Sequence, residues 1–349
     1  MHFLALDIGS SFIKGAVLDA KKLTIEHVTR VPFPEPVAGL PPGHFEIEPR
    51  QVVTAVREVL EKLHSIVSRS SGVLLSSQMG GVILAEPDGA PITNYVSWRD
   101  QRSMGKNPSY PGSYLDAIRE YLGDHELQLL GNELRAGSAL ALLFWLEEQG
   151  QLPPGSEPLS LGDYVAKQLC GWKRTAPDPT LSLGLLDLSA NNWHFHAIEV
   201  LGLESLRWPQ LDNCWSAAGK ARIGGKNLPC YPPIGDHQAA LAGALLQSGE
   251  LSLNISTGSQ ISLLTDRFAP GNYQMRPYLD GRFLNTVTHL PAGRSLDVLV
   301  NLVNRSWPEI VNAADETPDT DLAANLTYFD GPLGSRGSIS NITTENFSV

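Results

Sequence analysis

Two short segments of this 349-residue sequence place a glycine and small hydroxyls at what reads as a tight chain reversal. The first, Asp7-Ile8-Gly9-Ser10-Ser11-Phe12-Ile13-Lys14, offers a glycine for close backbone approach, two hydroxyls, a lysine and a carboxylate. These are the parts of a phosphate site, with Asp7 suited to hydrated magnesium. A polar surface hairpin would use the same residue types, because Gly and Ser fill turns of every kind. The second segment, Asn254-Ile255-Ser256-Thr257-Gly258-Ser259-Gln260, repeats the chemistry. Two such tips favour phosphate binding more than either alone, since turn and helix amides acting from two sides grip a polyphosphate. Neither matches GxxxxGK[ST], which excludes a P-loop enzyme.

Asp236 follows a Pro-Pro-Ile-Gly turn and opens an apolar helix. There it could simply act as a helix N-cap, favoured by the helix dipole. It could equally accept a proton from a hydroxyl and orient it for in-line attack on a phosphoryl group. Ser97-Trp98-Arg99-Asp100-Gln101-Arg102 packs an aromatic, an acid, an amide and two guanidinium groups into six residues. Sugars are held in this way, with the ring face on the aromatic and hydroxyls on bidentate polar groups. A charged loop around one buried Trp is the plainer reading. His194-Phe195-His196 lacks a Cys or acidic partner at metal-ligand spacing and is read as a surface loop.

The elements that must position these residues follow from periodicity. Apolar runs at 3–7 and 12–18 flank the first tip as the strands of a hairpin. Val52, Val56, Val59, Leu63, Ile66 and Val67 recur at helical spacing over 49–68, with Pro49 in the first turn. Strands are expected at 72–75 and 82–85, the latter before the Asp88-Gly89 turn. Helices are expected at 138–148 and 162–169, the second closed by Gly171, with an exposed loop at 151–155 between them. A Gly- and Pro-rich stretch at 220–233 marks the expected domain boundary. Beyond it come a helix at 239–246 and a second strand-turn-strand unit at 251–256 and 260–265.

Composition restricts the partners. With 42% hydrophobic and 18% charged residues the chain supports two ordinary domains. A formal net charge of −11 without a basic run argues against nucleic-acid and anionic-membrane partners. The N-terminus has no basic n-region, and no stretch approaches the roughly 20 apolar residues that span a bilayer. Cys170, Cys214 and Cys230 are odd in number and form no CxxC pair, so the sequence suggests a reducing cytoplasm. Oligomeric state is not legible, and a homodimer stays open.

In this order the motifs resemble those of the FGGY carbohydrate kinases. Leu6-Asp7-Ile8-Gly9-Ser10-Ser11 resembles the family's first phosphate motif. Gln78-Met79-Gly80-Gly81-Val82, then Pro87-Asp88-Gly89 and Trp98 to Arg102, is similar to its sugar-binding stretch. The Asp178-Pro-Thr-Leu-Ser-Leu-Gly-Leu-Leu-Asp187 run resembles the end of its first domain, and Gly235-Asp236 its catalytic-base motif. The Asn254 to Ser259 tip, followed by Tyr278-Leu-Asp-Gly-Arg-Phe-Leu284, is most similar to the sedoheptulokinase branch.

The resemblance implies an α/β protein of two ribonuclease-H-like domains of the actin, hexokinase and Hsp70 type, with a cleft between them. It implies a sugar-binding domain at 1–228 and a partial nucleotide-binding domain at 229–349. The implied reaction is ATP- and Mg2+-dependent phosphorylation of a sugar hydroxyl, on sedoheptulose or a related pentulose. Asp236 would be the base, and Gln78, Met79, Gly80, Trp98, Asp100, Gln101, Arg102 and His237 would line the sugar. Gly9, Ser10, Ser11, Lys14, Thr257, Gly258 and Ser259 would hold the nucleotide, and Asp7 the metal. Three departures accompany it. Gly80 stands where the family commonly has His, His237 where it has Asn or Gln, and the glycine-rich adenosine segment is not found, so the sequence reads as ending inside its second domain. A sugar-binding pseudokinase is therefore the alternative, while an actin-like or chaperone-type ATPase leaves the Trp98 to Arg102 cluster unexplained.

Overall fold

The computed structural model describes residues 1–67, 69–171, 178–181, 183–212, 214–255, 259–290, 292–302, 304–314, 321–325 and 338–343. Two compact units result, one of Met1–Leu246 with Thr265–Leu284, the other of Gln247–Leu264 with Asn285–Val349.

In the first unit the elements run β1 (His2–Ile8), β2 (Phe12–Asp19), β3 (Thr24–Pro32), β4 (Glu46–Ile47), α1 (Pro49–Ile66), β5 (Gly72–Ser77), β6 (Ile83–Ala85) and β7 (Tyr95–Val96). They continue with α2 (Tyr114–Leu129), α3 (Ala139–Glu148), β8 (Glu157–Leu159), α4 (Leu161–Cys170), β9 (Leu186–Asp187), β10 (Asn192–Trp193) and α5 (Phe195–Val200). Then come β11 (Gly219–Ile223), β12 (Lys226–Cys230), β13 (Ile234–Gly235), α6 (Asp236–Gly243) and β16 (Gln274–Pro277). The intervening β14 (Leu251–Ile255) and β15 (Ser259–Thr265), and the later β17 (Phe283–Leu290), α7 (Gly293–Leu302), α8 (Trp307–Ala314), β18 (Ala323–Asn325) and β19 (Ser338–Ser340), belong chiefly to the second unit.

A seven-stranded mixed sheet organises the first unit in the order β11-β12-β5-β1-β2-β3, with β13 also paired to β5. Strand β1 alternates, burying Leu4, Leu6 and Ile8 on one face. Helix α1 covers that face with Val52, Val56, Val59 and Leu63, each fully buried, as the 3.6-residue period requires. Glu48 caps α1 by accepting from the N–H groups of Arg50 and Gln51. Val73, Leu75, Tyr164 and Val165 extend the same core beneath β5 and α4. A second core forms where α3, almost wholly apolar, packs with Tyr114, Ile118 and Leu122 of α2 and with Ala197 and Ile198 of α5. The stretch 220–233 folds into the antiparallel β11–β12 hairpin of the main sheet, Gly219 opposite Cys230 and Ile223 opposite Lys226.

In the second unit, β14 pairs antiparallel with β15, Leu251 opposite Leu263 and Ile255 opposite Ser259. Strand β17 lies on the other side of β15.

His194 departs from the surface-loop reading. It is 5% exposed, caps α5 by accepting from Ala197 N–H through Nδ1, and places Nε2 2.8 Å from Glu126 Oε2. Its neighbour Phe195 is exposed. The histidine is thus a buried cap paired across two helices, and the reason lies in Glu126, 68 positions earlier in the chain.

Candidate active site

Strands β1, β5 and β13 are parallel and end side by side. Asp7 is in register with Ser76, Ile8 with Ser77, Ile234 with Ser76 and Gly235 with Ser77. Their carboxyl ends therefore deliver Asp7, Gln78 and Asp236 to one edge of the sheet, where open α/β sheets take their ligands. Asp7 accepts from Ser76 Oγ at 3.3 Å through Oδ1 and from Lys14 Nζ at 3.4 Å through Oδ2. Gly9, Ser10 and Ser11 form the β1–β2 turn beside it, with Gly9 packed so closely that an added Cβ would stand 3.1 Å from the Phe12 carbonyl. Asp7 is more than a third exposed. A carboxylate with this access suits Mg2+, which keeps several waters and takes one or two carboxylates besides phosphate oxygens.

Asp236 is the first residue of α6, and Gly235 before it is the N-cap residue. One of its carboxylate oxygens accepts from the first-turn N–H of His237 at 2.8 Å. Burial, and then the charge of Asp7, hold the Asp236 carboxyl above the usual carboxylate range, against the opposing pulls of the His237 N–H and, after it, Arg276. His237 packs beside Arg276, whose Nη1 lies 3.1 Å from His237 Nδ1. A guanidinium only donates, so Nδ1 accepts and the proton of the neutral ring sits on Nε2. Burial, reinforced by Arg276, pushes His237 down to about 4. Arg276 in turn donates from Nε to Glu133 Oε1 at 2.5 Å. Burial raises Glu133, but Arg276 and Arg135 outweigh it and hold the carboxyl below its ordinary value.

The loop from Trp98 to Arg102 divides between two duties. Trp98 is 42% exposed and donates from Nε1 to Gln78 Oε1 at 2.8 Å, tying the aromatic face to the end of β5. Asp100 is fully buried and accepts from Phe45 N–H at 2.6 Å and from Arg102 N–H and Nε at 2.8 and 2.9 Å. Arg102 Nη2 bridges Asp100 Oδ2 at 2.9 Å and Glu46 Oε1 at 2.6 Å, and its guanidinium lies over the Trp145 ring. This charge network is turned into the protein. Gln101 is exposed, with a long 3.4 Å bond to the Arg99 carbonyl.

Gly80 and Gly81 adopt φ of +79° and +71°, which L side chains rarely visit. A Cβ on Gly80 would stand 3.0 Å from both the Gly137 carbonyl and Trp98 Cβ, and Gly81 N–H donates to that same carbonyl at 2.9 Å. The missing side chain thus lets the α2–α3 connection close on the β5–β6 loop. A pocket opens beside it, lined by Met79, Gly80, Glu133, Arg135, Ser138, Ser160, Thr180, Met275 and Pro277 among others. It adjoins the Asp236 turn, because Thr180 Oγ1 accepts from Gly235 N–H at 3.1 Å and the Pro277 carbonyl accepts from Gln238 Nε2 at 2.9 Å. Under Ser160 lies Asp163, 3% exposed, which burial first and the charges of Asp178 and Glu157 after it push up to about 7.

Of the residues singled out from sequence, Asp7, Gln78, Met79, Gly80, Trp98, Asp236 and His237 belong to this neighbourhood. Ser259 opens β15 in the second unit, while Thr257 and Gly258 lie outside the described residues. Sequence reasoning missed Glu133, Arg135, Thr180 and Arg276. Among the described residues no group of three or more His, Cys, Asp and Glu could hold a metal alone, and no helix is long and apolar enough to cross a membrane.

The family model for the N-terminal domain of the FGGY family of carbohydrate kinases matches residues 2–229. A xylulose kinase of Bacillus subtilis (strain 168) is 22% identical over 271 residues, covering 74% of this chain and 53% of that protein. A sedoheptulokinase of Homo sapiens is 21% identical over 410 residues, covering 99% of this chain and 81% of that one. The chain spans about half the length of most curated relatives it matches, 42% of a xylulose kinase of Staphylococcus xylosus for instance. Among solved structures, a xylulose kinase from Rhodospirillum rubrum superposes with a TM-score of 0.81 at 20% identity, covering 99% of this chain and 74% of that one. A ligand-bound xylulose kinase from Lactobacillus acidophilus gives 0.80 at 16% identity, covering 98% and 72%. The fold is accordingly the mixed α/β sheet fold of these solved sugar kinases.

Proposed function

Because this chain belongs to the FGGY family of carbohydrate kinases, we propose that it phosphorylates a hydroxyl of a sugar at the expense of ATP, with Asp236 as the general base. Sedoheptulose and the related pentuloses are the first substrates to try, and a reducing cytoplasm is the setting that the thiols suggest. The reading keeps the two modules at 1–228 and 229–349.

The observation that carries it is the meeting of Asp7 and Asp236 at the ends of parallel strands joined through β5. A base must have a proton affinity high enough to accept a hydroxyl proton in the transition state, and burial with a neighbouring negative charge supplies that to Asp236. The His237 N–H holds the Asp236 carboxylate in one orientation. Trp98, fixed by Gln78, offers an aromatic face for the apolar side of a sugar ring. Lys14 and the Gly9 to Ser11 turn stand beside Asp7, where they can hold phosphate oxygens. Magnesium held at Asp7 would neutralise phosphate charge.

A coupled ADP-release assay with Mg-ATP and sedoheptulose, xylulose, ribulose and glycerol tests the proposal. Sugar-dependent ADP release supports it. Silence from folded protein that still binds a sugar by calorimetry would favour the second reading, a sugar-binding pseudokinase, for which the Gly80 and His237 replacements speak.

A further inference from the structure

Cys170 and Cys230 are far apart in the sequence, and the fold brings them together. Cys170 is the last residue of α4, where Gly171 closes the helix in a left-handed conformation. Cys230 is the last residue of β12. Its carbonyl accepts from Ala218 N–H at 2.8 Å, and its backbone is in register with Val73 of β5. Both positions are thus set by regular secondary structure. Opposite Cys230 across the β11–β12 hairpin stands Gly219. A Cβ added to Gly219 would lie 2.8 Å from Cys170 Cβ, so Cys170 occupies the space that a side chain at position 219 would fill. Directly opposed residues of an antiparallel pair project from one face, with Cβ atoms about 4.5–5.5 Å apart. Cys170 therefore approaches Cys230 through the gap that glycine leaves, close to the roughly 3.5–4.5 Å between Cβ atoms that a disulfide takes.

The two side chains also meet. The Cys230 thiol is fully buried, and its hydrogen bond with the Cys170 side chain, then burial, push it well above the ordinary thiol range. Cys170 is only half-buried, so a reagent in solvent reaches one sulfur of the pair and not the other. Cys214 stands apart from them, its thiol bonded to Asp178 and pushed up to about 12 by burial first and by that carboxylate after it.

We propose that Cys170 and Cys230 form a modification site, closing into a reversible disulfide in the folded chain when a low-molecular-weight disulfide of the glutathione type reacts at Cys170. Cys170, as the thiolate, attacks one sulfur of the reagent and expels its other half, leaving a mixed disulfide. Cys230 then loses its proton and attacks Cys170 Sγ, expelling the second half. Two protein thiols are oxidised, their two electrons reduce the S–S bond of the reagent, and their two protons end on the two small thiols released. Burial slows the ionisation of Cys230, but a neighbour held in contact attacks at high effective concentration. The bond latches the end of α4 to the end of β12 and closes residues 170–230 into one loop, which restricts the unfolded chain. A reducing compartment keeps the pair open, and an oxidising one closes it.

The test treats the folded full chain with oxidised glutathione, quenches it with acid and digests it without reductant. A peptide joining Cys170 to Cys230 is expected, with two of the three free thiols lost and all three restored by dithiothreitol. Single variants separate the two sulfurs. Cys230→Ser should stop with glutathione on Cys170, whereas Cys170→Ser should leave Cys230 unmodified while the chain is folded. Gly219→Ala, whose methyl would displace Cys170, should slow the cross-link by about ten-fold or more. In urea, the unfolding midpoint of the oxidised parent should lie above that of the reduced one and return to it on reduction. Glutathione retained on Cys170 of the parent with no joined peptide, a cross-link that includes Cys214 or forms only after unfolding, or a lowered urea midpoint would each overturn the inference. Should a variant not fold, the peptide map of the parent alone decides it.

Discussion

The negative charge of Asp7 acts on Asp236 across the ends of parallel strands and, together with burial, raises the proton affinity of the Asp236 carboxyl. A residue that served only to hold the first turn of α6 would gain from being a stable anion, yet Gly235 is the N-cap residue, and the Asp236 carboxyl, although it accepts from the His237 N–H, is held above the usual carboxylate range. Asp236→Asn keeps the size and the acceptor for His237 N–H but cannot take a proton. Its kcat should fall by about 10²–10⁴, with sugar affinity by calorimetry within about three-fold of the parent. Equal loss of turnover and sugar binding would remove Asp236 from the role of base.

Asp163 makes a prediction about stability and pH. Its folded carboxyl is pushed from 3.8 up to about 7 by burial and nearby acids. A folded value above the unfolded one means that the folded state holds the proton more tightly. The associated stability is therefore fully present below about pH 4 and is lost as pH rises through about 7, a change on the order of 4 kcal/mol. Asp163→Asn preserves an oxygen for Ser160 Oγ and the backbone bond from residue 163 to that hydroxyl. In melting curves taken between pH 5 and 8, the variant should decline less with pH than the parent. Parallel curves would show that Asp163 ionises normally.

The Trp98 to Arg102 loop predicts a split between binding and folding. Arg102 neutralises Asp100, which is fully buried, and reaches Glu46 as well. Removing one partner of such a buried pair leaves an uncompensated charge, at a cost of about 3–5 kcal/mol. Urea unfolding of Arg102→Met should register that loss, and Arg102→Lys should recover only part of it because an ammonium lacks the planar fork. Trp98→Ala should leave the unfolding midpoint nearly unchanged, since the ring is 42% exposed, and weaken sugar binding instead.

Local pattern made much of this legible, and distance in sequence set the limit. The hairpin around Gly9, helix α1 behind Glu48 and Pro49, and α4 between Ser160 and the left-handed Gly171 all announce themselves through caps and period. Helix α2 was not anticipated, although Ser113 and Asp116 form a capping box at its start. Its apolar positions run from Leu115 to Leu122 and then meet Gly123, whose φ of +70° breaks the helical geometry. Asp7, Gln78 and Asp236 could be found because each closes a strand or opens a helix within a recognisable motif. Glu133 and Arg276 could not, being 143 positions apart and joined only by the folded chain. Asp100 and Arg102 were legible as a charged cluster but not as an inward-facing one, because the Phe45 N–H and Glu46 that consume them come from over 50 residues away.

Gly80 supplies the most direct test of how the pocket is built. Its φ of +79° costs a residue with a Cβ about 1–2 kcal/mol, and here the added carbon would also stand 3.0 Å from the Gly137 carbonyl and from Trp98 Cβ. Gly80→Ala should therefore destabilise the protein by at least that amount in urea unfolding. It should also move the α2–α3 connection, changing the environment of Trp98 and hence its fluorescence. Gly80→His, which restores the residue common in the family, should do worse on both measures, because a ring has no room where Gly137 closes over the loop. If Gly80→His instead unfolds like the parent and binds sugar more tightly, the close approach of Gly80 and Gly137 is not what shapes the pocket. The family histidine would then fit this chain without rearrangement.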